Sequence, residues 1–172
     1  MTETEALEKV LAGENEHYAV LFRLYSKRAF GLAFQYLRSK EDSMDLVQDA
    51  FVKAFQNLHR FDRARSFGPW LLRIVRNLAV DILRARREDS SDDVERAASN
   101  CGSQEDEVLK GELWRAFLKL DRGEREIVFL RDYLGHDYAE MAHILNIPVG
   151  TVMSRLHRAR KELAAQLLGG SA

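Results

Sequence analysis

The 172-residue sequence predicts an all-α protein: two small helical domains joined by a flexible acidic linker, the C-terminal domain containing a helix-turn-helix. Three observations carry that prediction. Apolar residues recur every three or four positions over most of the chain, and no stretch alternates as a half-buried strand would. The periodicity stops at 88–101, where Ser, Asp, Glu, Asn and Ala dominate and too little apolar surface exists to order the segment. Near the C-terminus, DYAEMAHILNIPVGTVMSRLHRARKEL (137–163) reads as two short helices joined at Asn146-Ile147-Pro148. The implied domains are 1–87 and 103–172, with the linker at 88–102.

In the first domain, Tyr18, Leu21, Phe22, Tyr25, Ala29, Leu32 and Tyr36 form the apolar stripe of a helix over 14–38. Asp42 can cap a second helix that buries Leu46, Val47, Ala50, Phe51, Ala54, Phe55 and Leu58. After a connector at 59–65, Ser66 can cap a third. Pro69 then falls in the first turn, where a missing N–H costs no helical hydrogen bond. The third stripe is Phe67, Trp70, Leu71, Ile74, Val75, Leu78, Ala79 and Ile82. Three such helices make a small bundle. Four helices are expected in the second domain. Ser103-Gln104-Glu105-Asp106 offers a capping box ahead of Val108, Leu109, Leu113, Phe117 and Leu120, and the pairs Asp121/Glu124 and Asp137/Glu140 offer two more. The last helix would bury Val152, Leu156, Ala159 and Leu163.

The net charge of −1 hides a segregation along the chain. Residues 1–87 carry 15 Lys+Arg against 11 Asp+Glu, residues 88–107 carry 1 against 8, and residues 108–172 carry 10 against 8. Two basic segments flank an acidic connector, so the neutral total is compatible with a polyanionic partner. The single cysteine, Cys101, has no internal partner and suits a reducing cytoplasm. The first residues lack the basic and apolar blocks of a signal peptide. No apolar run reaches the ~20 residues of a membrane span. A soluble cytoplasmic protein without membrane insertion is expected. His17, His59, His136, His143 and His157 lack metal-ligand spacing, and no glycine-rich phosphate loop or nucleophile elbow is present. Neither a metal, a cofactor nor an enzymatic activity is therefore expected.

Two helices carry candidate nucleic-acid faces. Thr151, Ser154, Arg155 and Arg158 line a polar, cationic face of the last helix, and no Asp or Glu lies between Met141 and Lys161 to repel a polyanion. On the third helix, Arg73, Arg76, Asn77, Arg84 and Arg87 share one side with only Asp81 opposing. Phe61, Phe67 and Trp70 sit beside Arg60, Arg63 and Arg65 just upstream. Basic groups neutralise phosphates, and aromatic rings can hold an unstacked base. Periodicity favours a core place for Phe67 and Trp70, and a nucleic-acid face for the arginines. On the second helix, Asp45, Gln48 and Asp49 share the polar side; a solvated face and a docking surface for a basic partner stand equal there.

Two segments together resemble the extracytoplasmic-function (ECF) class of bacterial sigma factors. DSMDLVQDAFVKAFQNLHRFD (42–62), followed by FGPWLLRIVRNLAVDILRARR (67–87), is similar to their second region. EREIVFLRDYLGHDYAEMAHILNIPVGTVMSRLHRARKEL (124–163) is similar to their fourth. The resemblance implies a chain that binds bacterial core RNA polymerase and promoter DNA, assists melting, and is held inactive by an anti-sigma factor. It implies that Asp45, Gln48 and Asp49 dock on the clamp helices of the polymerase. The loop carrying Phe61, Arg63, Arg65 and Phe67 would capture a flipped base of the minus-ten element, whose extrusion costs a few kcal/mol and so selects DNA that opens easily. Arg73, Arg76, Asn77 and Arg84 would face the separating strand. Ser154, Arg155 and Arg158 would read base edges of the minus-thirty-five element. Arg160 and Lys161 would hold phosphates, with Thr151 bonding another near the helix start.

Three departures from the family pattern stand out. Leu120-Asp121-Arg122-Gly123-Glu124-Arg125 replaces the usual Leu-Pro-Glu turn, Met153 stands where a basic residue is common, and His136-Asp137 is an acidic start to the helix-turn-helix. Two other classes fit parts of the chain: a free-standing helix-turn-helix regulator, and a sigma-mimicking adaptor that binds anti-sigma proteins without DNA. The acidic docking face argues against the first, the arginines on both helices against the second.

Overall fold

The first helix is one that the apolar periodicity does not announce. In the computed structural model, which describes residues 1–89 and 111–169, α1 (Glu3–Leu11) precedes the three helices expected in the N-terminal half. The Thr2 hydroxyl accepts from Glu5 N at 3.2 Å, and the Glu5 carboxylate accepts from Thr2 N at 2.8 Å, a capping box that satisfies two amides otherwise left without partners. Ala6, Leu7 and Val10 then bury one side of this short helix.

A 3₁₀ turn at Asn15–His17 leads into α2 (Tyr18–Leu37), so the helix expected from residue 14 starts four positions later. Arg38 ends it in the left-handed region at φ 54°. Ser39 is extended and its hydroxyl accepts from Asp42 N at 3.2 Å, which makes Ser39, not Asp42, the cap of α3 (Lys40–Gln56). Asp42 falls in the first turn instead and pairs with Arg86 at 2.8 Å. That hydrogen bond, with help from Ser39, holds the Asp42 carboxyl below its ordinary pKa. After a 3₁₀ turn at Leu58–Arg60 and a short loop, α4 (Phe67–Asp89) runs for 23 residues.

The described residues fall into two compact units, one containing α1–α4 and the other beginning with α5 (Glu112–Lys119). In the first, α2 packs against α1, α3 and α4, and α3 closes against α4. Leu21 and Leu32 of α2, Leu46 of α3, and Phe67, Leu71 and Leu72 of α4 are buried at their centre. Helix and helix come close where α4 starts: a Cβ on Gly68 would lie 2.5 Å from Cε1 of Tyr25, so the Tyr25 ring lies where a side chain would otherwise stand. Phe22 and Phe55, expected in the buried stripes, are instead 40% and 39% exposed. Their stripes are wider than the neighbouring helices cover.

In the second unit α8 (Val149–Gly169) packs against α5, α6 (Arg122–Val128) and α7 (Tyr138–Leu145). Phe117, Leu120, Ile127, Leu130, Met141, Ile144, Val152, Leu156 and Ala159 are buried there, whereas Leu113 is 59% exposed. Of the three expected capping boxes, the two within the described residues close: Glu124 N donates to Asp121 and Glu140 N to Asp137, each at 2.8 Å, with the return bonds at 3.1 Å. Asp121 thus starts α6 without the usual Leu-Pro-Glu turn. A π turn at Phe129–Tyr133 extends α6, and Gly135 at φ 76° redirects the chain toward α7. His136, the unusual residue before the cap, is buried with Nδ1 3.0 Å from Glu140 Oε2, and its carbonyl accepts from Arg131 at 2.8 Å. Asn146 ends α7 in the left-handed region at φ 54°, a conformation Asn tolerates better than most residues. Pro148 then accepts from the amides of Thr151 and Val152 at 3.0 and 3.1 Å as α8 begins.

Among the described residues all regular structure is helical. The Ser103–Asp106 capping box, Val108 and Leu109, and the linker expected at 88–102 beyond Asp89 lie outside them.

Candidate nucleic-acid interface

The α8 faces follow from its pitch. At about 100° per residue, Thr151, Ser154, Arg155, Arg158 and Lys161 fall within about 120° of the circumference, opposite the buried Val152, Leu156 and Ala159. Ser154, Arg155, Arg158 and Lys161 are exposed, Thr151 and Leu163 half-buried. The Ser154 hydroxyl donates to Thr151 O at 3.1 Å, leaving its own lone pairs to accept. Arg160 is set apart by the same geometry, about 160° from Arg158. Its Nε donates to Asp132 Oδ2 at 3.2 Å and its Nη2 to the other oxygen, a two-pronged grip on the π turn. That bonding raises the Arg160 pKa further. Arg160, expected beside Lys161 on phosphates, thus faces a carboxylate of its own unit. Both partners are more than 40% exposed, so the pair contributes at most about 1 kcal/mol.

On α4, Arg73, Arg76, Asn77, Arg84 and Arg87 occupy an arc of about 100°, with Arg73 and Arg76 half-buried and the others exposed. The side of α4 that faces inward carries Leu71, Leu72, Val75 and Ala79, all buried. The loop before α4 is a tight turn in which Ala64 N donates to Asp62 Oδ1 and Arg65 N to Asp62 O, both at 3.0 Å. Arg63, Ala64, Arg65 and Ser66 are exposed.

The two phenylalanines of that loop both lie inside the unit, Phe67 as its place in the apolar stripe predicts. Phe61 is 7% and Phe67 0% exposed, with ring centroids 6.0 Å apart and both rings against Trp70 at 5.1 and 5.7 Å. In this arrangement neither ring is open to stack on a base. They anchor the two ends of the turn, and the basic tip between them is what faces solvent.

Asp45, Gln48 and Asp49 are exposed together on α3. Beside them lies an open groove of about 640 Å³ lined by Tyr18, Phe22, Gln48, Phe51, Val52 and Phe55. Sequence reasoning missed the groove because periodicity assigned Phe22 and Phe55 to the core. Val52, 57% exposed on the acidic side of α3, was the visible signal. Glu14, Glu16 and His17 bring possible ligand atoms within 4.8 Å of one another. The Lys9 ammonium already sits 3.2 Å from Glu14 and 3.5 Å from His17, supplying the positive charge there. Among the described residues no helix is long and apolar enough to cross a membrane.

Comparison with known proteins identifies these units. The family Sigma-70 region 2 matches residues 21–88, and Sigma-70, region 4 matches residues 110–163. The ECF RNA polymerase sigma factor SigW of Bacillus subtilis is 32% identical over 94% of each chain. The ECF RNA polymerase sigma-E factor of Escherichia coli K12 is 32% identical over 95% of this chain and 93% of its own. Among solved structures, CnrH in complex with the cytosolic domain of CnrY shares 27% identity at a TM-score of 0.72 over 99% of both chains. The sigma factor RpoE of Bartonella quintana, in complex with the anti-sigma factor NepR, shares 25% identity at 0.75 over 87% of this chain and 96% of its own.

A region 2 followed by a region 4 defines a sigma-type transcription initiation factor. The chain belongs to the ECF RNA polymerase sigma factors, which bind core polymerase, direct it to specific promoters and assist their melting.

Proposed function

We propose that this ECF sigma factor divides promoter recognition between its two units and has no catalysis of its own. The observation that carries the proposal is the pairing of an exposed cationic face on α8 and a partly exposed one on α4 with an exposed acidic strip on α3 in one chain. Ser154, Arg155 and Arg158 read base edges of the minus-thirty-five element in the major groove, with Thr151 and Lys161 on phosphates. Arg160 reaches a phosphate only by exchanging Asp132 for it. In the first unit Arg63 and Arg65 at the tip of the 62–66 turn contact the extruded minus-ten base and its backbone. Phe61 and Phe67 hold the turn in place, and Arg73, Arg76, Asn77 and Arg84 follow the separated strand. Asp45, Gln48 and Asp49 dock on the clamp helices of core polymerase. The domains serving these tasks are 1–87 and 103–172.

The protein acts in the cytoplasm, where its polymerase and promoter are. Its regulator is an anti-sigma factor, a reading supported by the two structural neighbours, RpoE in complex with the anti-sigma factor NepR and CnrH in complex with the cytosolic domain of CnrY. The test is run-off transcription with purified bacterial core polymerase on host genomic fragments. Specific transcripts that require the chain are expected. DNA binding by the chain alone without transcripts would favour a free-standing regulator. Neither transcripts nor DNA binding would favour an adaptor.

Charge reversal at the docking strip gives a narrower expectation. Asp49→Lys places like charge against a basic partner, and core affinity should fall about tenfold or more while promoter DNA contacts in the second unit persist. Titration of core polymerase with labelled chain measures this; wild-type affinity would remove Asp49 from the docking surface.

A further inference from the structure

The loop at 62–66 is held at both ends, but by different means. Burial of Phe61 and Phe67 fixes two rings, yet it does not by itself set the direction in which the backbone leaves the turn. At that exit the first amide of α4 is held as well. Phe67 N donates to Glu3 Oε1 at 2.8 Å, across 64 residues of sequence. The other oxygen of the same carboxylate accepts from the Tyr25 hydroxyl. The Tyr25 ring lies against Gly68 and packs on Phe67 with centroids 5.7 Å apart. A carboxylate from α1 and a ring from α2 therefore grip the two consecutive residues at which the loop becomes α4.

The chemistry suits the place. The first amides of a helix have no partner within it, and the positive end of the helix dipole favours a negative group there. Glu3 supplies both the acceptor and the charge. It is itself held by α1, whose Thr2–Glu5 capping box and buried Ala6, Leu7 and Val10 fix that helix on α2.

We infer that Glu3 is a positioning residue for minus-ten recognition: its carboxylate on Phe67 N sets the exit of the 62–66 turn and thereby the placement of Arg63 and Arg65. The inference rests on the reading above that this turn contacts the extruded base. It makes α1, which carries none of the proposed DNA contacts, a determinant of base preference.

The test uses the full chain bound to core polymerase and a single-stranded oligonucleotide of the non-template minus-ten element, taken from a promoter found by run-off transcription. Four versions vary the extruded base. Glu3→Ala should lower affinity for the preferred oligonucleotide about tenfold, the scale of one hydrogen bond to a charged group, and flatten preference among the four bases. Core affinity should stay at the wild-type value. Glu3→Gln keeps an acceptor for Phe67 N and should retain most of the preference. A Glu3→Ala chain with unchanged affinity and preference overturns the inference. So does a uniform loss over all four bases accompanied by weaker core binding, which would mean a general loss of folding. An Arg63→Ala/Arg65→Ala chain separates the two readings. If it loses oligonucleotide binding while Glu3→Ala does not, only the positioning role fails; if it binds as wild type, the loop assignment fails and the positioning role with it.

Discussion

Phe67→Ala is expected to destabilise the first unit by about 3–5 kcal/mol, the cost of removing a fully buried aromatic ring. Phe67 has no solvent exposure, touches Tyr25, Phe61 and Trp70, and provides the first amide of α4. Its ring fills the point where α2, α4 and the 62–66 turn meet, so truncation leaves a cavity that three elements would have to collapse to fill. A loss of this size is a large fraction of the about 5–15 kcal/mol that stabilises a typical domain. Denaturant unfolding followed by far-ultraviolet circular dichroism and tryptophan emission measures it, with Trp70 reporting directly from the cluster. A change below about 1 kcal/mol would show that the site is not the packing centre described here. A Phe67 that acted by stacking on DNA would give the opposite pattern, normal stability with failed promoter opening.

Arg158→Ala should behave in the reverse manner. Arg158 is exposed near the centre of the polar arc of α8, and its loss leaves Val152, Leu156 and Ala159 packed as before. Stability should therefore stay within about 0.5 kcal/mol of the parent. A bidentate arginine–guanine contact is worth about 1–3 kcal/mol of discrimination. Binding of the holoenzyme to a promoter with its own minus-thirty-five element should fall roughly 5- to 150-fold by the same energy, while binding to a promoter with that element scrambled changes little. Retained preference for the intact element would take Arg158 out of base recognition. Arg160→Ala makes an internal contrast, because its guanidinium is bonded to Asp132 on another side of the helix. Its effect on element preference should be the smaller of the two.

Much of the architecture was legible because it depends on local chemistry. The Asp121/Glu124 and Asp137/Glu140 boxes mark the starts of α6 and α7, and the apolar spacing marks the inner faces of α2, α3, α4 and α8. Asn146 and Pro148 mark the turn between α7 and α8. The misses have physical causes as well. Helix α1 is only nine residues long with three buried side chains, too few for periodicity, although Thr2 and Glu5 stood at capping-box spacing. Asp42 and Ser39 are both good caps; what separates them is the left-handed Arg38, which makes Ser39 the first residue able to start α3. Phe61 sits among arginines outside any apolar stripe, and nothing in that neighbourhood says which way its ring turns.

By itself, then, the sequence determined an all-helical chain, the polar and apolar faces of its main helices, and the two regions by which it belongs with the ECF sigma factors. These are properties of residues a few positions apart, where helical pitch and capping chemistry leave little freedom. Only the tertiary structure decided that Phe61 is an anchor, that Arg160 answers to Asp132 across 28 residues, and that Glu3 reaches Phe67 across 64. Such pairings depend on which helix faces meet, and that is settled by the packing of the whole unit rather than by any local pattern.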